Sequence, residues 1–242
     1  CDIRSQSGVH VSAERLDPRD LTVVDEVALT SAVRSVCFEM RYASHERQAA
    51  IVLSMAAYDD LVSVDELAEY AARHSGWTGI PRCRAAIPLA EENCWSPTEV
   101  EMVLTWRLDA ELPRPLCNQP VFDRNGRHVG TPDLLDVEAG VVGQYDGAFH
   151  LAGAQRAADE RAEERYRDLG LECFTMVAAD RGDTSRMAAR MIAARKRGLW
   201  EAESTRQWTV EPPSWWIPTH TVEHRRALDS EQRRRLLRYR AA

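Results

Sequence analysis

Residues 130–150 read GTPDLLDVEAGVVGQYDGAFH and contain the most informative pattern in this chain. Two short apolar runs are joined by a turn, which predicts two neighbouring antiparallel strands. Asp133 begins the first run, and Gln144 and Asp146 belong to the second. Because side chains alternate between the faces of a strand, Gln144 and Asp146 share one face and Tyr145 points to the other. Pairing of the two strands would bring Asp133 beside Gln144 and Asp146.

Two carboxylates and an amide oxygen are ligands of the kind that a hard divalent cation prefers. We therefore predict a Mg²⁺ or Mn²⁺ site formed by Asp133, Gln144 and Asp146. A cation held by carboxylates can position a water, neutralise phosphate charge and stabilise a leaving oxygen, which are the requirements of phosphodiester hydrolysis. The alternative is that Asp133, which follows Pro132, is a simple turn residue.

The same residues resemble a known family. Pro132-Asp133, Gln144-Tyr145-Asp146-Gly147 and His150 look like the core of the PD-(D/E)XK nuclease superfamily, in the branch related to the very-short-patch repair endonuclease. With the upstream motif Ser96-Pro97-Thr98-Glu99, they also look like actinobacterial members that are similar to the type IV AbiE-system antitoxin. The resemblance covers roughly residues 96–180 and is looser on both sides.

The resemblance implies a metal-dependent DNA endonuclease and a role for each motif residue. Asp133 would be the bridging metal ligand and Asp146 a second ligand, or the residue that steers the attacking water. His150 would act as general acid or base, and Glu99 would approach the metal from the preceding helix. Glu99 has an alternative role as a helix cap, and an isolated histidine such as His150 is more often structural.

Gln144 is the main departure from the family pattern, which has glutamate at this position. An amide offers a carbonyl oxygen but no negative charge, so we expect metal affinity to fall. The sequence therefore leaves a second hypothesis open, in which the chain is a weakened or inactive nuclease fold. Such a protein would bind DNA or a toxin partner and act as a regulator.

The element pattern predicts an α/β sandwich, and its order matches the restriction-endonuclease-like core that the resemblance implies. A capping motif at Ser96 opens a helix, three strands follow, and then come a helix, a strand and a helix over residues 152–169, 171–177 and 184–197. The three strands are predicted near Val121-Phe122, before Asp133 and at residues 141–146. We predict a small α-rich domain over residues 1–93, the nuclease-like domain over 94–199 and a basic, tryptophan-containing tail over 200–242. In the first domain, short strands precede residue 31 and a capping box at Ser63 opens a helix.

Charge and composition bear on partners and compartment. The net charge is −7, but the basic residues outnumber the acidic ones after residue 180, which suits phosphate neutralisation. The alternative is a solvated arginine-rich helix face. The candidate nucleic-acid-binding residues are Arg161, Arg165, Arg233, Arg234 and Arg235. The six cysteines form no C-x-x-C pair, which favours reduced thiols and a cytoplasmic protein, and no apolar run approaches the length of a membrane span.

The region after residue 200 contains Trp208, Trp215 and Trp216 among arginines. Tryptophans in a basic segment can stack on nucleic-acid bases. They more often pack a terminal segment against its own domain. The sequence leaves both roles open.

Overall fold

A computed structural model describes residues 6–8, 11–146 and 153–241, and for residues 153–160, 239 and 241 only the course of the chain. The helices are α1 (Ala32–Tyr42), α2 (Glu46–Tyr58), α3 (Val64–Arg73), α4 (Ile80–Ala86), α5 (Pro97–Leu104, continued by a π-helical turn Thr105–Asp109), α6 (Gly153–Asp168), α7 (Thr184–Arg197), α8 (Val222–Arg226) and α9 (Ser230–Leu236). The strands are β1 (Leu21–Val24), β2 (Val27–Thr30), β3 (Leu116–Cys117), β4 (Val121–Asp123), β5 (His128–Gly130), β6 (Leu134–Asp136), β7 (Val141–Asp146), β8 (Glu172–Val177) and β9 (Trp208–Thr209).

Local capping chemistry places two of these helices as predicted. At the start of α3, Ser63 Oγ accepts from the Glu66 N–H and the Glu66 carboxylate accepts from the Ser63 N–H. This reciprocal pair satisfies two backbone donors that a helix start otherwise leaves unpaired. At the start of α5, Ser96 Oγ accepts from the Glu99 N–H, and Pro97 occupies the first helical position.

The chain combines these helices with the strands given above, so the predicted α/β class is confirmed.

A four-stranded sheet carries the candidate site. Its order is β3-β6-β7-β8; the first two pairs are antiparallel, and β7 and β8 are parallel. A parallel neighbour requires a crossover connection, and α6 lies in the chain between β7 and β8. The strand β7 therefore lies between β6 and β8, and its Gln144 and Asp146 pair with β8 beyond Gly143, the last residue that pairs with β6.

Two strands of the predicted core form, but in another sheet. Val121-Phe122 (β4) and the strand before Asp133 (β5) were predicted in the nuclease-like core, whereas they belong to a separate three-stranded sheet of order β5-β4-β9. The turn that contains Asn125-Gly126 folds β5 back onto β4, so β4 finds a hydrogen-bonding partner strand close by in the sequence. The first strand of the main sheet is β3, two residues long. Among the short strands predicted before residue 31, one forms as β1, whereas in the apolar run at residues 9–11 the first two residues lie outside the described chain and Val11 is irregular.

The main sheet is packed on both faces. Val141 and Phe174 join a large cluster that also contains residues of α1 to α5 and α7, and Trp106 stacks on Phe174 with ring centres 5.8 Å apart. Val142 and Tyr166 join a smaller cluster on the other face. The larger cluster draws residues from both sides of residue 93, so one buried core is shared across that position. The domain boundaries at residues 93 and 199 stay predictions.

The C-terminal segment is fastened to the helical region through Asp60. Arg225, which is 1% exposed, donates to Asp60 Oδ1 at 2.7 Å and to three backbone carbonyls. Arg233 and Arg240 donate to the same carboxylate, each at 2.8 Å to Oδ2. Burial alone would raise the pKa of Asp60, but the hydrogen bonds from the three arginines outweigh burial and the pKa is lowered.

Removing this carboxylate charge should strongly destabilise the fold. We expect Asp60→Asn to cost about 3–5 kcal/mol, because the Arg225 guanidinium would stay buried without its counter-charge. Asparagine tolerates the positive φ of 60° at this position, so the loss would report charge rather than backbone strain. Urea unfolding measures the difference, and the exposed neighbour Asp59→Asn is the matched control.

The stability that Asp60 contributes through its arginine partners should depend on pH in a defined direction. A carboxyl with a lowered pKa contributes stability above its unfolded pKa, near 3.8, and loses that contribution as the pH falls through the folded value. The gap between the wild type and Asp60→Asn should therefore be full at pH 7 and shrink below about pH 4. A gap below about 1 kcal/mol at pH 7, or one that widens in acid, would contradict the assignment.

Candidate metal centre and nucleic-acid interface

Asp133 is tied to the strand that carries the other candidate ligands. It immediately precedes β6, and its Oδ2 accepts a hydrogen bond of 2.7 Å from the backbone N–H of Tyr145 in β7. Its backbone carbonyl accepts from the N–H of Asn118 at 3.3 Å. The Asp133 carboxylate is therefore held against the backbone of β7 between Gln144 and Asp146.

Strand alternation places the three candidate ligands on one face of the sheet. Leu135 and Val142 are cross-strand partners, and both belong to the smaller buried cluster. Asp133 lies two residues before Leu135, and Gln144 lies two residues after Val142, so both point to that face, as does Asp146. Asp133 and Gln144 are half-buried and Asp146 is exposed. That the three side chains converge on one metal ion stays a prediction.

Tyr166 of α6 lies on the same face of the sheet. Burial raises the pKa of its phenol, and the negative charge of Asp133 raises it further. Gly130, at the end of β5, allows this approach, because a Cβ at that position would overlap the Tyr166 hydroxyl. Sequence reasoning did not select Tyr166 as a site residue.

Glu99 lies in a buried polar network at the start of α5. It is 8% exposed, and its carboxylate accepts from the Trp95 N–H, the Ser96 hydroxyl and the Asn118 amide at 2.7–2.9 Å. Burial raises its pKa, although these hydrogen bonds act in the opposite direction. Asn118 also donates its backbone N–H to the Asp133 carbonyl. Glu99 thus reaches the candidate site through Asn118, and its direct approach to a metal stays a prediction.

Two of the motif residues cannot be placed. Gly147 and His150 lie outside the described residues, so the predicted acid–base role of His150 stays a prediction. Within the described ranges, no group of three or more His, Cys, Asp and Glu side chains is arranged to hold a metal ion. The candidate set is of a different kind, since it combines two carboxylates with the amide of Gln144.

The candidate nucleic-acid-binding arginines fall into two groups. Arg161, Arg165, Arg234 and Arg235 are exposed. Arg165 also donates Nε–H to the Val129 carbonyl at 3.1 Å, next to Tyr166. Arg233 instead donates to Asp60 and to the Arg225 carbonyl, so it serves the C-terminal attachment. Sequence reasoning could not distinguish them, because the partner of Arg233 is 173 residues away.

Comparison of the chain with protein-family models, with curated proteins and with solved structures found no match. Among the helices in the described ranges, none combines the length and the apolar composition needed to cross a membrane.

Gly143 sets the spacing between β7 and β8 beside the candidate ligands. A Cβ at this position would overlap the Phe174 ring, and that ring is held by its stacking on Trp106. Gly143→Ala should cost about 1–3 kcal/mol through overpacking, measured by urea unfolding. Gly182→Ala is the control, because a Cβ there has no neighbour within 4 Å. Equal midpoints for the two variants would show that β7 has room to shift at this point.

Proposed function

We propose that this protein is a metal-dependent endonuclease that hydrolyses phosphodiester bonds in DNA. In this proposal α5, β3, β6, β7, α6 and β8 form the restriction-endonuclease-like core that the sequence motifs imply. The order of these elements, with two antiparallel pairs followed by a parallel pair, supports the proposal.

The observation that carries the proposal is the hydrogen bond from the Tyr145 N–H to Asp133 Oδ2. It brings a carboxylate from the start of one strand to the segment that holds Gln144 and Asp146. The alternation of side chains then directs all three groups to one face. The Asp133 carboxylate thus lies beside two further oxygen-bearing side chains on the neighbouring strand, a position that suits a metal ligand.

The donor chemistry fits a hard divalent cation. The Asp133 and Asp146 carboxylates and the Gln144 amide oxygen are all oxygen ligands, which Mg²⁺ and Mn²⁺ prefer over nitrogen or sulfur. The half-buried position of Asp133 and the exposure of Asp146 leave one side of the set open to solvent. When bound, such a cation would supply charge neutralisation at the phosphate and a more acidic water.

The protein's own residues would orient the substrate and stabilise the ligand set. The Tyr145 N–H fixes the direction of the Asp133 carboxylate, and the Glu99–Asn118 network holds the segment that contacts the Asp133 backbone. Arg161 and Arg165, exposed on α6, would contact phosphates along the backbone of the nucleic acid. His150 remains the candidate for proton transfer.

A second function is favoured by one specific residue, Gln144. With an amide in place of a carboxylate, the site carries one negative charge fewer than the family pattern supplies, and its metal affinity should be lower. The alternative proposal is therefore a nuclease-fold protein that binds DNA or a toxin partner without cutting. This alternative uses the same basic side chains and does not require a bound metal.

A cleavage assay with one charge removed tests the proposal. We expect the wild type in Mn²⁺ to cut single-stranded, nicked or mismatched DNA and Asp133→Asn to lose more than about 100-fold in rate, the upper value for residues that only support a ligand. Asparagine can still accept from the Tyr145 N–H, so the fold should survive. Asp168→Asn, an exposed carboxylate on the same helix as Tyr166, is the control. Equal cutting by wild type and Asp133→Asn would reject the proposal, and DNA retention without cutting would favour the binding protein.

Restoring the missing charge gives an independent prediction. Gln144→Glu should raise the affinity for Mn²⁺, because a third carboxylate strengthens binding of a hard cation. Isothermal titration calorimetry of wild type, Gln144→Glu and the double variant with Asp133→Asn measures the change. An unchanged affinity in Gln144→Glu would mean that position 144 does not belong to the ligand set.

A further inference from the structure

A cluster of four aromatic rings lies at the turn end of the three-stranded sheet. Trp216 packs edge-on against Phe122 with ring centres 5.0 Å apart, and lies 5.2 Å from the ring of His128. Trp215 packs edge-on against Trp216 at 5.7 Å. Phe122 is fully buried, so the cluster is anchored in the fold and extends outwards through Trp216 to Trp215.

Trp215 is the outermost ring of this cluster and is 64% exposed. By contrast, Trp208 is 2% exposed and Trp106 is fully buried. Packing the C-terminal segment against its own domain accounts for Trp208 and partly for Trp216, but it does not account for Trp215. A large aromatic face held outwards by a rigid base has the geometry of a stacking surface.

The cluster is connected to the candidate metal centre by short steps along the chain. The His128 ring hydrogen-bonds to the Thr131 hydroxyl at 3.0 Å, and Thr131 lies two residues before Asp133. Arg165 donates to the carbonyl of Val129, the residue after His128, and its guanidinium is therefore at the same edge. Arg127, on the other side of His128, is exposed.

We propose that Trp215, supported by Trp216 and His128, stacks an unpaired base of single-stranded DNA. Every nucleobase offers a flat face, so stacking of this kind is tolerant of sequence. Arg127 and Arg165 would contact the phosphates on either side of the stacked base. The flat face together with flanking cations favours a nucleic acid over an apolar peptide.

Trp215, Trp216 and His128 form the proposed stacking platform, and its position has a consequence for the substrate. An unpaired base on Trp215 would bring the strand past His128 and Thr131 towards Asp133, so the substrate class would be DNA with a single-stranded segment. This inference about the substrate rests on the proposed nuclease function. The stacking itself requires no metal and can be measured separately.

Binding of a short fluorescein-labelled oligothymidylate in EDTA tests the proposal. The wild type should bind with quenching of tryptophan fluorescence, and Trp215→Ala should bind about 5- to 150-fold more weakly, since one stacked base contributes about 1–3 kcal/mol. Trp215→Phe should keep most of the affinity, because it keeps an aromatic face. Trp200→Ala is the matched control: Trp200 is 46% exposed and is held over the Arg195 guanidinium at 4.3 Å.

The outcomes separate this inference from the nuclease proposal. Asp168→Asn, an exposed position outside both the candidate metal centre and the aromatic cluster, should bind the oligonucleotide as the wild type does. Equal affinities for wild type and Trp215→Ala would overturn the stacking proposal even where DNA is cut. The stacking proposal would also be overturned if this protein prefers fully paired duplex DNA, or if it binds another protein and has no affinity for the oligonucleotide. If the protein does not cut DNA but Trp215→Ala still weakens binding of the oligonucleotide, the stacking proposal stands and only the nuclease proposal is rejected.

Discussion

The hydrogen bond from the Tyr145 N–H to Asp133 Oδ2 is the contact on which the candidate site depends. β6 is three residues long and Asp133 lies just outside it, so pairing of β6 alone would leave the carboxylate free to turn towards solvent. Acceptance from the β7 backbone gives the side chain one direction. A charged acceptor also makes a shorter and stronger hydrogen bond than a neutral one, which suits a group that must hold its position beside two other polar side chains.

The surroundings of this contact are rigid for separate reasons. On one side of the sheet, the Trp106 and Phe174 rings lie flat against each other, and Gly143 leaves room for them. Directly after β3 and opposite the start of β6, Asn118 adopts a left-handed backbone conformation and donates both to Glu99 and to the Asp133 carbonyl. Its amide nitrogen has two acceptors, the Glu99 carboxylate and the Asn93 carbonyl, whereas its Oδ1 is buried without a hydrogen-bond partner among the described residues. The helical region and the sheet therefore meet at the base of the site.

Much of the fold follows from local sequence signals. The helix α7 has the predicted bounds, and the caps at Ser63 and Ser96 form as expected, because a cap depends on residues three positions apart. The strand β3 was not predicted, because a two-residue segment between Pro115 and Asn118 is too short to show an alternation of apolar and polar residues. Its identity depends on pairing with Leu134 and Leu135. The attachment of Arg225 to Asp60 spans 165 residues and has no local signature at all.

The shared face of Gln144 and Asp146 was predictable from the two-residue period of β7. The proximity of Tyr166 was not, because it requires the packing of α6 and a glycine at position 130. The most direct measurement of the central claim is anomalous X-ray scattering from crystals soaked in Mn²⁺. We predict one manganese peak bonded to carboxylate oxygens of both Asp133 and Asp146. Carboxylates on opposite faces of the sheet, or manganese bound only elsewhere, would contradict it.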